Sequence, residues 1–219
     1  MNTRTGFQEE LNKLRQDILA MAAMVEEDVG KAICALKNND LELAQKVKEN
    51  DTVINAMQIN IEDKAAILIA TQQPVARDLR ELVTFFKITT SLERAGDHAV
   101  HLAKAAIKLK GKQSLFSIEH LEKMAKICQE MIHSAINAFL SHDTESARLA
   151  ASLDNKIDEE HKILVEKILN HIKKEPKLIK KAIRILNTSN YLERLGDHIT
   201  NICEGIIYIV EGRHEELND

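Results

Sequence analysis

Apolar residues recur at spacings of three and four along most of the chain, which is the pattern of one face of an amphipathic helix. In the first half, one such stripe covers residues 11–36 and ends at the turn-forming residues 38–40, and a second covers residues 44–68 and stops before Pro74. A third helix is predicted over roughly residues 75–110. Because helix-breaking residues separate the three stripes, the pattern predicts three long helices.

The second half of the chain repeats the first. The segment LERAGDH at residues 92–98 recurs as LERLGDH at residues 192–198, an offset of 100 residues. The two prolines of the sequence, Pro74 and Pro176, fall at nearly the same place in each copy. We therefore infer a tandem duplication. Helices are predicted in the second copy near residues 119–140, 144–173 and 177–211.

The predicted helices are long and their connections are short. A helix of about 30 residues would be about 45 Å long. We therefore predict an all-α fold, with two tandem three-helix bundles of antiparallel helices lying side by side. The first repeat is predicted at residues 1–111 and the second at residues 118–219, with residues 112–117 as the linker between them.

Composition and charge narrow the possible classes of function. The low content of 7 Gly and 2 Pro, beside 29% charged residues, is typical of long helices. A formal net charge of -4, with both signs interspersed, predicts no basic face for nucleic acid. No apolar segment resembles a secretory signal or approaches the roughly 20 residues of a membrane span, so we expect a cytoplasmic protein. The three cysteines lack CxxC spacing, which argues against a disulfide framework or a zinc knuckle.

Polar residues interrupt the apolar rows at matching places. When the apolar row of the second helix is continued with heptad spacing, one of its positions is Asp51, and Asn55 lies one turn further along the helix. The row of the third helix reaches Glu93 and Asp97, which are i and i+4 neighbours. Asp51 and Asp97 each lie 23 residues from Pro74, and Asn55 and Glu93 each lie 19 residues from it. A hairpin folded about this proline sets the four side chains level, and we call them the first quartet.

The second copy contains an equivalent set, which we call the second quartet. It consists of Asp154, Asp158, Glu193 and Asp197, which lie 22, 18, 17 and 21 residues from Pro176. Grouped carboxylates in an apolar row need a compensating cation or raised pKa values. One candidate is a metal ion, and an all-oxygen set favours a hard or borderline ion such as Mg, Mn, Fe or Zn.

Arginine is the other candidate for the compensating charge. Arg77, Arg80, Arg94 and Arg194 are close to the quartets in sequence. Ion networks of this kind are common in helical bundles, and spacing alone leaves both candidates open. His98 and His198 directly follow the quartet aspartates, so they point about 100° round the helix and away from the quartets.

Several segments resemble the signature of the PhoU family. They are QPVARDLR at residues 73–80, LERAGD at 92–97, LERLGD at 192–197 and NICE at 201–204. The resemblance covers almost the whole chain. It implies two three-helix repeats, frequent dimerisation, and multinuclear metal clusters on E/D-x-x-x-D motifs in some members. It also implies contact with the Pst phosphate transporter and a phosphate-sensing histidine kinase, which holds the starvation response off when phosphate is plentiful.

Carried over residue by residue, the metal motifs of the family fall on the two quartets already described. Glu93 and Asp97 would supply the motif in the first repeat, and Glu193 and Asp197 in the second. One departure is that the second copy has KKAIR at residues 180–184 where the first has RDLR. We therefore expect unequal metal occupancy or unequal surfaces in the two repeats.

Other classes of function are also open. A ferritin-like di-metal enzyme needs two E-x-x-H pairs that face two further glutamates. The chain offers only Glu130 with His133 and Glu211 with His214, one of them in a polar tail. A metal-dependent phosphohydrolase and an accessory protein of a Pit-type phosphate transporter are further alternatives. With no catalytic nucleophile recognised, we expect the protein not to be an enzyme.

Overall fold

The computed structural model describes residues 3–109 and 118–218, and every regular element within them is helical. The first repeat contains α1 (Thr3–Asn38), α2 (Leu41–Gln72) and α3 (Ala76–Leu109). The second contains α4 (Glu119–Ser141), α5 (Thr144–Ser152), α6 (Asp154–Lys174), a short 3-10 helix (Pro176–Leu178) and α7 (Ile179–Glu211). The predicted all-α fold is confirmed. The linker predicted at residues 112–117 lies outside the described residues, so the proposed boundaries stay a prediction.

Side-chain caps and left-handed residues form the turns of the hairpins. The Asp40 carboxylate accepts a hydrogen bond of 2.9 Å from the backbone N–H of Leu43, which caps the start of α2. At the other end of α2, Gln73 adopts a φ of 47° and donates its N–H to the Ile69 carbonyl. Asp143 caps α5 as Asp40 caps α2. The two copies thus begin their second helices in the same way.

The second helix of the second repeat is interrupted, where the sequence pattern predicted one helix over residues 144–173. Leu153 separates α5 from α6, and its N–H donates to the Ala150 carbonyl in a tighter, three-residue turn. Asp154 therefore stands at the first residue of α6 rather than inside a continuous helix. In addition, α7 begins at Ile179 because Pro176 opens a 3-10 turn before it.

The helices α3 and α7 form the central pair of the molecule. Each belongs to its own three-helix bundle, and the two pack on each other along the boundary between the repeats, with α1 packing on α4 beside them. The apolar core continues across this boundary, where Phe85 and Phe139 meet edge to face with ring centroids 5.8 Å apart. None of the helices in residues 3–109 and 118–218 is long and apolar enough to cross a bilayer.

Candidate metal sites

The first quartet lies where α2 packs on α3. Asp51 and Asn55 are on α2, Glu93 and Asp97 are on α3, and all four are half-buried. Burial raises the pKa of Asp51, and the charge of Asp97 raises it further. Burial also raises the pKa of Glu93, with further contributions from Asp97 and Asp51. The three carboxylates therefore interact as one group, and Asn55 adds a buried Oδ1 that has no hydrogen-bond partner among the described residues.

The second quartet lies where α6 packs on α7, and its carboxylates interact more strongly. The pKa of Asp154 is raised to about 7, chiefly by burial and in addition by the charges of Asp197, Asp158 and Glu193. Burial also raises the pKa values of Glu193 and Asp197. In the described part of the chain, the buried Oδ1 of Asp154 has no hydrogen-bond partner. An ionised Asp154 in this position needs a positive charge that the surrounding side chains do not supply.

Gly196 makes room for the Asp154 carboxylate. A Cβ atom at this position would overlap Asp154 Oδ1 and would lie 2.9 Å from Ile157 Cδ1. In the first repeat, a Cβ atom on the equivalent Gly96 would instead meet Ile54 Cδ1 at 3.2 Å. The interruption before α6 and the glycine on α7 together place a carboxylate oxygen against the helix backbone. The two quartets therefore occupy equivalent positions in the sequence, but in the second a carboxylate oxygen packs against the glycine of the facing helix, whereas in the first an isoleucine side chain does.

The arginine network that the sequence left open is not formed in residues 3–109 and 118–218. No ion pair there joins any of the four arginines to a quartet carboxylate. Arg80 instead lies beside the Ile209 carbonyl, with 3.4 Å between donor and acceptor. Arg94 and Arg194 lower the pKa values of the neighbouring glutamates, but less than burial raises them. Arginine thus leaves the quartet charges largely uncompensated.

The comparison with known proteins decides the family. The PhoU domain model matches the chain twice, over residues 18–106 and 121–206. This chain belongs to the PhoU family. The two matches coincide with the two helical repeats and include both quartets, so the PhoU domain is present as a tandem pair.

Named relatives match almost from end to end. The phosphate-specific transport system accessory protein PhoU homolog of Clostridium acetobutylicum is 34% identical, over 99% of this chain and 100% of the relative. The phosphate-specific transport system accessory protein PhoU of Escherichia coli K12 is 31% identical, over 94% of this chain and 86% of the relative.

Solved PhoU structures share the fold. PhoU from Pseudomonas aeruginosa has a TM-score of 0.90 at 35% identity, covering 94% of this chain and 100% of the other. The phosphate transport system regulatory protein PhoU from Streptococcus pneumoniae has a TM-score of 0.89 at 33% identity, covering 95% of this chain and 99% of the other. The two-bundle arrangement is therefore that of the PhoU fold.

In this PhoU chain the quartets gather oxygen donors without aiming them at one point. Among the described residues, no three His, Cys, Asp or Glu side chains converge closely enough to form a ready-made metal site. The unpartnered oxygens of Asn55 and Asp154, and the purely oxygen-based donor sets, fit a hard divalent cation. Because the side chains are half-buried and lack arginine partners, rotation of carboxylates toward an added cation would break no ion pair.

The motif histidines lie between the repeats rather than in the quartets. The His98 ring stacks on the His198 ring, with centroids 5.3 Å apart and an interplanar angle of 12°. Tyr191 stacks on the same His98 ring at 5.9 Å. The pKa of His98 is lowered to about 4, chiefly by burial and in addition by the neighbouring His198 and Arg194. This neutral aromatic stack joins α3 to α7. In the sequence, its one signal is the histidine that directly follows the motif aspartate in both copies.

Proposed function

We propose that this protein is a cytoplasmic regulator of phosphate uptake and of phosphate-starvation signalling. It acts by binding the subunits of a Pst phosphate transporter and a phosphate-sensing histidine kinase, and it holds the starvation response off when phosphate is plentiful. The observation that carries this proposal is the match of both repeats, over nearly the whole chain, to relatives named phosphate-specific transport system accessory proteins. These names describe accessory proteins rather than enzymes, which supports action through binding.

Deletion of the gene tests the regulatory role. In phosphate-rich medium, we expect the deletion strain to express a phosphate-starvation reporter that the parent strain represses, and we expect the wild-type gene to restore repression. Reporter activity and uptake of labelled phosphate measure the two branches separately. A deletion strain that still represses the reporter and takes up phosphate normally would contradict the proposal.

Direct binding tests the partners. The purified protein is immobilised, and the Pst transporter in lipid nanodiscs and the cytoplasmic part of the histidine kinase are passed over it. A Pit-type phosphate transporter in the same nanodiscs is the control, because an accessory role for that transporter is the alternative. Binding to the Pit-type transporter alone would replace the proposed partner. Hydrolysis of phosphate esters at an ordinary enzymatic rate would overturn the regulator proposal altogether.

We further propose that each quartet holds a metal ion of the Mg, Mn, Fe or Zn class, and that the protein is a homodimer. Support for the metal comes from grouped carboxylates with raised pKa values and no arginine partner. When bound, such an ion supplies positive charge that ties α2 to α3 and α6 to α7. The residues of the chain hold the ion and stay ionised around it. Light scattering of the purified protein measures its oligomeric state, and a monomer would contradict the dimer.

Each hairpin supplies its own ligands, so the two sites should be separable. Replacing Glu93 and Asp97 with Ala should remove one site and leave the other, and replacing Glu193 and Asp197 should do the reverse. Elemental analysis of untagged protein is expected to find part of the wild-type metal in each double variant, and the contents of the two variants should add up to that of wild type. Loss of all metal from both sites in one double variant would contradict independent sites.

A further inference from the structure

Two grooves lie at the two ends of the contact between α3 and α7. The helices run antiparallel, since Thr84 on α3 is beside Gly205 on α7 and Lys108 is beside Arg184. Residues that line one groove are related to residues that line the other by the 100-residue offset of the repeat. Duplication therefore produced two equivalent grooves, and their charges can be compared position by position.

The groove near the end of the chain already contains acidic groups of the chain itself. It measures about 620 Å³, and its lining includes Lys87 and Arg94 together with Glu204, Glu215 and Glu216. The segment after α7 folds over this groove: the backbone N–H of Leu217 donates to the Glu204 carboxylate at 2.9 Å. We call it the tail groove, and its basic side chains have acidic neighbours from the same protein.

The equivalent groove at the other end, which we call the basic groove, is different in charge. Its polar and charged lining residues are His101, Lys104, Lys108, Arg184, Asn187, Thr188 and Tyr191, and its volume is about 100 Å³. No Asp or Glu from the described residues lines it. Where the tail groove has Glu204, the basic groove has Lys104, because these positions correspond across the repeat.

The three cations of the basic groove have no acidic partner of their own. Within residues 3–109 and 118–218, Lys104, Lys108 and Arg184 form no ion pair. Arg184 is nevertheless held in place, because its Nη1 donates to the Lys108 carbonyl at 3.2 Å at the end of α3. Lys104 lies within electrostatic range of Asp51 in the first quartet, but none of the described carboxylates lines the groove itself. Cations that line a groove without an acidic lining residue create a positive potential that attracts anions.

The donors of the groove match an oxyanion. Guanidinium and ammonium groups make short, charge-assisted hydrogen bonds to phosphate oxygens. Asn187 and Tyr191 add a neutral amide and a hydroxyl to the lining, and the Tyr191 ring is held against the His101 ring with centroids 4.6 Å apart. The groove thus combines two ammonium groups with an anchored guanidinium and neutral donors.

Size limits the ligand. A volume of about 100 Å³ is well below the roughly 300–1,000 Å³ of sites for drug-sized molecules. We propose that the basic groove binds free inorganic phosphate through Lys104, Lys108 and Arg184. This proposal goes beyond the proposed function, because it needs neither transporter nor kinase, and phosphate binding and partner binding can each fail without the other.

Calorimetric titration of the metal-free, chelator-treated protein with inorganic phosphate tests the proposal. Saturable binding of one phosphate per chain is expected. Lys104→Gln and Arg184→Gln should each weaken it by about tenfold or more, the effect of losing a hydrogen bond between charged groups. Lys87→Gln, in the tail groove, is the matched control and should leave the affinity unchanged. Circular dichroism checks that the variants are folded, and Lys104→Gln spares the helix-capping contact that Arg184 makes.

Three results would overturn the proposal: no saturable binding at millimolar phosphate, equal weakening by Lys87→Gln, or unchanged affinity in Lys104→Gln and Arg184→Gln. Phosphoserine, which carries the same phosphoryl group on a larger body, distinguishes the source of the ligand. We expect it to bind at least about tenfold more weakly than inorganic phosphate, because the groove is small. Equal or tighter binding would assign the groove to phosphoryl groups on larger molecules instead of free phosphate.

Discussion

Replacing Asp154 with Asn should change the stability of the protein in opposite directions with and without metal. In the folded protein the pKa of Asp154 is raised from an ordinary value of 3.8 to about 7, chiefly by burial and in addition by the other three carboxylates of the quartet. A raised carboxyl pKa means that folding favours the protonated form. The stability that Asp154 contributes is therefore present below pH 3.8 and is lost as the pH rises through about 7. Asn has the shape of the protonated acid and carries no charge, so it avoids this loss.

The size of the effect follows from the displaced pKa. A rise from 3.8 to about 7 corresponds to about 4 kcal/mol as an upper limit. The Asp154 side chain is only half-buried, so solvent screening reduces the expected effect to about 2 kcal/mol. At pH 8 in chelator, the Asp154→Asn protein should thus be more stable than wild type by about 2 kcal/mol, and near pH 4 the difference should shrink.

Added metal should reverse the order. A ligand that binds only the folded state at a hundredfold excess over its Kd stabilises it by about 2.7 kcal/mol. The wild-type protein gains this stabilisation from both quartets, whereas Asp154→Asn loses a charged ligand from the second quartet. With metal at pH 8, wild type is therefore expected to melt at the higher temperature, and without metal at the lower.

Denaturant and thermal unfolding followed by circular dichroism measure both conditions for the same samples. Asp51→Asn, at the equivalent position of the first repeat, is the matched control. The pKa of Asp51 is also raised, but Asp51 is not among the described residues with a buried oxygen that lacks a hydrogen-bond partner. A smaller change in stability is therefore expected. If Asp154→Asn destabilised the chelated protein at pH 8, the charge argument would be refuted. If metal added no stability to wild type, the metal proposal would be refuted.

Two further substitutions, each with its own control, test the close approach at Gly196 and the buried ion pair of Arg15 with Glu81. Gly196→Ala should destabilise the fold by about 1 kcal/mol, because overpacking against the Asp154 carboxylate exceeds the gain in helix propensity. A Cβ atom at Gly6 would meet no other atom within 4 Å, so Gly6→Ala should be neutral or stabilising in the same unfolding assay. Equal changes in stability for Gly196→Ala and Gly6→Ala would contradict the predicted overlap. Arg15→Ala should lower the free energy of unfolding by about 3 kcal/mol, because it leaves the buried Glu81 without its partner. Lys64→Ala breaks an exposed ion pair and should lower it by less than about 0.5 kcal/mol. Equal losses of stability in the two variants would contradict this expectation.

The helices and the grouping of the quartets follow from local sequence, because apolar spacing, caps and the repeat offset all describe contacts within one hairpin. The interruption at Leu153 does not, since residues 150–155 contain neither Gly nor Pro to mark it. The difference in charge between the two grooves and the stacking of His98 on His198 were also not predicted. They depend on how α3 packs on α7 between repeats, and heptad position within one repeat carries no information about that contact.

His101 and Lys104 lie close to both of the sites proposed for the first repeat. Both line the basic groove, and both lower the pKa of Asp51 in the first quartet. An anion in the groove offsets the charge of Lys104, which makes the potential at the first quartet more negative and so favours a cation there. By linkage, a cation in that quartet favours the anion by the same factor. The second repeat has Glu204 where the first has Lys104, so under the two proposals this coupling would be confined to the first repeat, and only that half of the molecule would respond to both ions.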